Sequence, residues 1–381
     1  MDVDVHFYCS VPMDDAGAGA PAATDRRYVQ ADYLACYENL EHWAKTADGL
    51  GFSTMWLTEH HFQYEGYEVV PNLIQFGQHL ASITDRIKFG QAFNVVPQWH
   101  PLRLAEDFAM ASILTRDRMV FGVGRGTVPR ESQTLGGVVA SGDNEMAADQ
   151  DRLNREIFEE AMEVIRSAWG NETFSFSGKH FEFPPPGIPD RGATVQDLTL
   201  IPKPIGYPEV PKIFQPVTSP ATMDYVARVG HQAIFAGGPP ERVGAAWDLF
   251  AEKSAENGRE LAPGEGRAFH INVHVGRTTE DAMVAGRAGH DEYVKFLSPY
   301  GRFARYEDGA VPFDHCPTVE QTMTEESMAI GSIEQVADLL GRIKDRLDLK
   351  HLLLFPDFPG LSREQMDEQM HLLAEDVLPR L

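Results

Sequence analysis

A run of Glu59-His60-His61-Phe62 follows the apolar segment Met55-Trp56-Leu57. A carboxylate and two imidazoles are costly to bury unless they are hydrogen-bonded or used in chemistry. Neighbouring residues of an extended chain point to opposite faces, so His60 and His61 are poorly placed to ligate one metal together. Two readings stay open: a structural hydrogen-bond cluster, or one histidine serving as an acid/base group. A second run, Gly122-Val123-Gly124-Arg125-Gly126, sets one guanidinium among three glycines. Backbone and side chain can approach an anion closely there, and guanidinium matches a phosphate in bidentate fashion. The Gly-x-Gly-x-Gly spacing followed by Val128-Pro129 fails as a dinucleotide fingerprint, and a Walker-type phosphate loop is absent. Thr218, Ser219 and Thr222 open a helical segment, where hydroxyls act as plain N-caps or as partners of a phosphate at the helix N-terminus. The stretch Gly90 to Pro101 carries Phe93, Trp99 and His100, which fit a flat pocket wall as well as core packing. His270, Asn272 and His274 share one strand face and, with Asp4 and His6, are candidates for a metal centre; hydrogen-bonded buried polar groups are the alternative.

Positioning such groups requires a scaffold, and strand-like and helix-like segments alternate along almost the whole chain. Strands are predicted at Val5–Cys9, Thr54–Thr58, Ile87–Val96, Met119–Gly124, Lys212–Pro216, Gln232–Ala236, Phe269–Val275 and His351–Phe355. Each is followed by a helical stripe; Tyr33, Cys36, Tyr37, Leu40, Ala44, Ala47 and Leu50 form one, with Gly51 at its C-terminal cap. Eight such units close into a (β/α)8 TIM barrel, whereas a doubly wound sheet usually has five to seven strands. Three stretches stand outside the repeat, at about 12–27, 171–211 and 298–326, and are expected as insertions in a single domain spanning 1–381. Within the second, Thr173–Phe183 alternates around Ser-Gly and reads as a β-hairpin. In a barrel the strand C-termini form the active-site face, and the runs above fall there.

Composition narrows the partners. The 381 residues carry 57 acidic against 33 basic side chains, a net charge of −24, which repels nucleic acid and anionic membranes. The chain shows neither a basic start followed by an apolar run nor an apolar stretch of about 20 residues, so a cytoplasmic protein without membrane attachment is expected. Cys9, Cys36 and Cys316 are too few and scattered for a disulfide framework or a zinc knuckle.

Taken together, these runs resemble the bacterial luciferase-like family of flavin-dependent monooxygenases. The likeness rests on Gly51-Phe52, Trp56-Leu57-x-Glu59-His60-His61-Phe62, Thr84-x-Arg86-Ile87-x-Phe89-Gly90, Pro97-x-x-His100-Pro101 and Arg118-x-x-Phe121-Gly122-Val123-Gly124-Arg125-Gly126. It extends to Glu131 before Leu135-Gly136, Ser219-x-x-Thr222, and Ile330-Gly331-Ser332-Ile333-Glu334-Gln335-Val336. Residues 49–137 match most specifically, with weaker support over 151–235 and 328–380.

The resemblance implies a TIM barrel, usually dimeric, that binds FMN at its C-terminal mouth. It implies that His60 lies beside the reactive ring edge and supports acid/base steps. It assigns the FMN phosphate to Arg125 and to the hydroxyls of Ser219 and Thr222, beside Thr218. It also implies a non-proline cis peptide at Ala92–Phe93 under the ring, with Asn94 and Gly124 among the cofactor-binding positions. Reduced FMN, supplied by a separate flavin reductase, would react with O2 to a C4a-peroxide that oxygenates a small organic substrate. No resident metal is expected, and the 298–326 insertion is a candidate lid. Two departures stand out: Leu114-Thr115-Arg116-Asp117-Arg118 replaces the usual Leu-Ser-x-Gly-Arg turn, and Gly124 stands where luciferase has a cysteine, which argues against light emission. Deazaflavin-dependent oxidoreductases of the same fold, a non-catalytic partner subunit, and a metal hydrolase remain as competing readings.

Overall fold

A computed structural model describes residues 1–19, 21–139, 145–303 and 314–381. Eight parallel strands form a closed ring in chain order: β1 (Asp2–Phe7), β2 (Thr54–Leu57), β3 (Lys88–Gln91), β4 (Met119–Gly124), β5 (Ile213–Pro216), β6 (Gln232–Ala236), β7 (Arg267–Gly276) and β8 (His351–Phe355). Pairing of Asp2 with His351 joins β1 to β8, and pairing of Phe121 with Ile213 joins β4 to β5. The helices outside the ring are α1 (Gln30–Leu50), α2 (Leu73–Ser82), α3 (Pro101–Leu114), α4 (Glu145–Gly170), α5 (Pro220–Val229), α6 (Pro240–Glu256), α7 (Thr279–Leu297), α8 (Ile333–Leu347) and α9 (Arg363–His371). The fold is the (β/α)8 TIM barrel.

Alternation along the strands divides the core in two. Val5, Phe7, Met55, Leu57, Phe121 and Val123 face the helices and join the main core, where Phe7 stacks on Trp43 of α1. Trp56, Ala92, Phe214, Ile234, Ala268 and Leu353 fill the barrel interior. Below them, at the barrel floor, Asp4 Oδ2 accepts hydrogen bonds from Trp56 Nε1 (2.6 Å) and His351 Nε2 (2.5 Å), while Oδ1 is buried without a partner among the described residues.

Three local outcomes differ from the expectations. The first strand ends at Phe7 and not at Cys9, because the Tyr8 and Cys9 amides turn to the Asp357 carboxylate (2.8 and 3.1 Å). The third strand ends at Gln91 and not at Val96: the Ala92–Phe93 peptide is cis, as the resemblance implied, and a short separate strand, Asn94–Val95, follows it. There Asn94 Nδ2 donates to the Gly122 carbonyl (3.0 Å), a side chain filling a position the main-chain ladder leaves open. Finally, a strand at Met328–Ser332 with α8 behind it forms a ninth strand–helix pair. It lies outside the ring because β7, ten residues long, pairs with β8 through its first half and with this strand through its second.

The insertions pack onto the barrel. Arg26 pairs with the buried Glu292 of α7 (3.0 Å), and Lys295 of the same helix donates to the Gly17 and Pro21 carbonyls (2.6 and 2.8 Å), which ties these residues down over that helix. The Thr173–Phe183 hairpin is present as Phe176–Ser177 against Glu182–Phe183, and a second ribbon pairs Pro189–Asp190 with Ala193–Thr194. The 298–326 stretch begins as a helical turn at Ser298–Tyr300 and ends in a short helix at Val319–Thr324; the lid expectation falls partly on 304–313, outside the described residues.

Candidate active site

A cavity of 270 Å³ opens at the C-terminal ends of the barrel strands. Its lining brings together residues from β1 to β8 that are far apart in the chain, among them His60, Ala92, Phe93, Gly124, Arg125, Thr218 and Thr222. A larger outer groove of 740 Å³ between α4 and α5 shares no residue with this mouth, and ion pairs such as Arg228–Glu159 (2.9 Å) already occupy it.

One wall is set by the close approach of β3 and β4. A Cβ on Gly122 would stand 1.8 Å from the Gln91 carbonyl oxygen, and one on Gly124 would stand 3.2 Å from Phe93 Cβ. Only glycine at 122 permits this spacing, which lets the Ala92–Phe93 segment line the cavity as a broad apolar face. Asn94 is fully buried behind this face and does not line the cavity; it supports the wall through Gly122. Trp99 also lies away from the mouth, donating to Glu59 (3.1 Å), and His100 precedes α3 against Phe183 of the hairpin.

Arg125 and the N-terminus of α5 bring groups that attract negative charge to the same cavity. Arg125 follows β4 directly, and its Nη1 donates to Asp151 Oδ1 (2.8 Å) and Asn154 Oδ1 (3.3 Å) of α4. Burial works against the Asp151 charge, but the bonds from Arg125 and Arg155 outweigh it and hold its carboxyl below the usual range. Thr218 and Thr222 face the cavity at the start of α5, where helix amides and the dipole favour negative charge. Ser219 is the N-cap itself: its Oγ accepts from the Thr222 amide (3.2 Å) and bonds the Thr222 hydroxyl (2.9 Å) without lining the cavity.

His60 occupies a third position, at the end of β2. Its Nδ1 lies 2.9 and 3.1 Å from the two Glu131 oxygens, and its Nε2 lies 3.0 Å from Glu68 Oε2. The Glu68 contact is an ion pair of poor hydrogen-bond alignment. Burial disfavours the imidazolium, yet the Glu68 and Glu131 carboxylates more than compensate and push its pKa up to about 10. His61 points away from the cavity and donates to Glu59 (3.3 Å). Glu131 belongs to a short helix at Pro129–Thr134 and is fixed by Gln63, while Arg130 of the same helix pairs with Glu65 (2.8 Å).

The remaining polar candidates divide between separate places. His6 Nδ1 and His270 Nε2 meet at 3.0 Å on the cavity wall, and burial keeps both neutral, His270 down at about 4. His6 also stacks on Phe355. Asp4 lies below at the barrel floor, and His274 stacks on Phe358 away from this pair. Asp4, His6, His270, Asn272 and His274 are therefore not gathered into one ligand set, and the described residues hold no group of three or more placed for a metal ion. Sequence reasoning missed Glu68, Tyr293, Tyr300 and Arg302 on the cavity wall, and it noted Glu131 without a role. None of these carries a local signal, because loops and a helix from elsewhere in the chain bring them to the mouth.

With this geometry in hand, the comparison with known proteins is specific. The family model for luciferase-like monooxygenases matches residues 17–348. The chain belongs to the luciferase-like monooxygenases. Limonene 1,2-monooxygenase of Rhodococcus erythropolis is 28% identical over 269 residues, 70% of this chain and 62% of that protein. The F420-dependent glucose-6-phosphate dehydrogenase of Amycolatopsis mediterranei is 23% identical over 359 residues, covering 90% and 94% of the two chains. The oxygenating constituent of 3,6-diketocamphane monooxygenase from Pseudomonas putida, solved with FMN, superposes with a TM-score of 0.73 at 18% identity, over 100% of this chain and 98% of that one. The relatives of this chain thus include an oxygenating constituent solved with FMN and an F420-dependent dehydrogenase. Among the described residues of this luciferase-like chain no helix is long and apolar enough to cross a membrane.

Proposed function

We propose that this protein is an FMN-dependent monooxygenase that uses reduced FMN and O2 to place one oxygen atom on a small organic substrate. The observation that carries this reading is the convergence, in one cavity, of an anion clamp (Arg125, Thr218, Thr222 and the α5 N-terminus) with the flat Ala92–Phe93 wall. The donor set suits a phosphate monoester, and the wall suits a planar ring. FMN carries both groups, and when bound in reduced form it supplies the electrons for oxygen activation. In this reading Arg125, Thr218 and Thr222 hold the phosphate, and Ser219 orients Thr222. Gly124 and Phe93 bear the ring, while Asn94 stiffens the wall from behind. His60 is the titratable group beside the reacting edge. The apolar lining from Phe296, Leu297 and Phe355 excludes water.

The same reading makes the chain one cytoplasmic barrel domain with its substrate chosen at the mouth. Reduced FMN comes from a separate reductase, and two copies associate, consistent with Met110, Ile113 and Leu114 exposed on α3. The deazaflavin reading is favoured by one relative's F420 dependence, so the test must separate the two. Anaerobic titration with reduced FMN and with reduced F420 should give saturable binding of FMN at least tenfold tighter; tighter F420 binding would overturn the proposal. Replacing His60 with Ala should abolish product formation while leaving FMN affinity within about tenfold, and unchanged turnover would remove its assigned role.

A further inference from the structure

His60 has a carboxylate at each ring nitrogen, Glu131 at Nδ1 (2.9 Å) and Glu68 at Nε2 (3.0 Å). A neutral imidazole has one N–H and one lone pair, so it can satisfy one carboxylate and must turn its lone pair to the other. Only the doubly protonated ring donates to Glu131 from Nδ1 and also sets a positive charge against Glu68, whose poorly aligned contact leaves Nε2–H free to donate elsewhere.

The two carboxylates are held differently. Glu131 is fixed by Gln63 Nε2 as well as by His60, on a helical turn locked to the β2 loop by Arg130 with Glu65 (2.8 and 2.9 Å) and with Gln63 (2.9 Å). Glu68 is buried, lines the cavity, and has no cationic partner besides His60 among the described residues. Tyr8 from the end of β1, Tyr293 from α7 and Tyr300 from the following turn also face this corner as phenols pushed up first by burial, and Arg302 lines the same cavity, where its charge acts on Tyr293 and His270 but forms no ion pair with Glu68. Glu59 is engaged by His61 and Trp99, and Arg130 by Glu65.

We propose that Glu68 is a positioning residue which, with Glu131, holds His60 as an imidazolium, so that the active site offers the reacting oxygen a proton donor and not a base. The inference rests on the monooxygenase reading for what receives the proton. In the step itself the Nε2–H bond breaks and an O–H bond forms, the electron pair stays on nitrogen, and water restores the proton afterwards. A ring left neutral between two carboxylates is unfavourable, so the equilibrium returns the proton to it and keeps the donor loaded. The consequence for the reaction is an activity that shows no rise near pH 6.5 from His60 and falls only on the alkaline side.

The test needs no cofactor. In protein carrying 15N-labelled histidine, the His60 ring nitrogens, assigned by their loss in His60→Gln, are followed against pH. Wild type should stay doubly protonated through pH 8. Glu68→Gln should lower the transition by more than one pH unit, and Glu68→Asp should restore part of it. The alkaline limb of the pH–rate profile should move with the same variants. A wild-type His60 that titrates between pH 6 and 7 overturns the proposal even if no variant folds. So does a Glu68→Gln transition that does not move. Failure of reduced FMN to bind would instead sink the monooxygenase reading and leave this titration intact.

Discussion

The approach of β3 to β4 at the cavity wall makes Gly122→Ala the most direct probe of the architecture. The added Cβ would begin 1.8 Å from the Gln91 carbonyl oxygen and 3.0 Å from Phe93 Cδ1. Reaching a tolerable contact near 3.2 Å requires the two backbones to part by about 1.4 Å, in a ring whose strands are hydrogen-bonded on both sides. Overpacking a core ordinarily costs ~1–3 kcal/mol, and here the clash is with backbone, which has no rotamer to adopt, so a loss of about 3 kcal/mol or more is expected. Gly341 in α8 is the control, since a Cβ there meets nothing within 4 Å and the residue is helical; Gly341→Ala should gain roughly 0.5–1 kcal/mol from helix propensity. Urea unfolding of both variants, read by fluorescence, gives opposite signs if the spacing is as described. Flavin binding by folded Gly122→Ala should weaken because the Ala92–Phe93 segment moves with Gln91. A loss below about 1 kcal/mol with unchanged flavin affinity would refute the close approach and the wall built on it.

Arg125→Ala should weaken FMN binding by roughly 10–150-fold, the scale of one charge-assisted hydrogen bond of ~1.5–3 kcal/mol, while riboflavin, which has no phosphate, should be little affected. Asp151→Asn removes a competitor for the same guanidinium and should tighten FMN binding, measured by the same titration. For stability against pH, His60 is raised on folding to about 10, so its contribution is complete below pH 6.5 and lost as pH rises through 10; urea midpoints of wild type should fall over that window more steeply than those of His60→Gln. His270 is lowered to about 4, so the opposite holds: stability present above pH 6.5 is lost as pH falls through 4, and His270→Gln should flatten the acid limb.

Much of this was readable in the chain because it is carried by local pattern. All eight ring strands follow from alternation bounded by helix stripes, and the hairpin at Thr173–Phe183 follows from alternation around Ser-Gly. The strand at Met328–Ser332 was missed although its helix start is marked by the Ser332-x-x-Gln335 capping box, because it adds to the outer half of an over-long β7 and breaks the eightfold count. The anion side was legible in Gly124-Arg125-Gly126 and Thr218 to Thr222, since the residue types needed there are consecutive or one helical turn apart.

What escaped was every property that depends on who stands opposite. Sequence named His60 but could not say that Glu68 and Glu131 flank it, and so could not distinguish a base from a proton donor. It grouped Asp4 and His6 with His270, Asn272 and His274 as one candidate metal centre, where the barrel keeps only His6 and His270 together at the mouth and separates Asp4 to the floor and His274 to the Phe358 ring. The sequence by itself determined the eight-unit barrel and the identity of the arginine-, hydroxyl- and imidazole-bearing segments at its mouth, because backbone periodicity and side-chain chemistry are local. Only the tertiary structure decided charge states and spacing at the mouth, because a buried group's protonation and a strand's approach are fixed by the neighbours that closure of the ring brings within 3 Å.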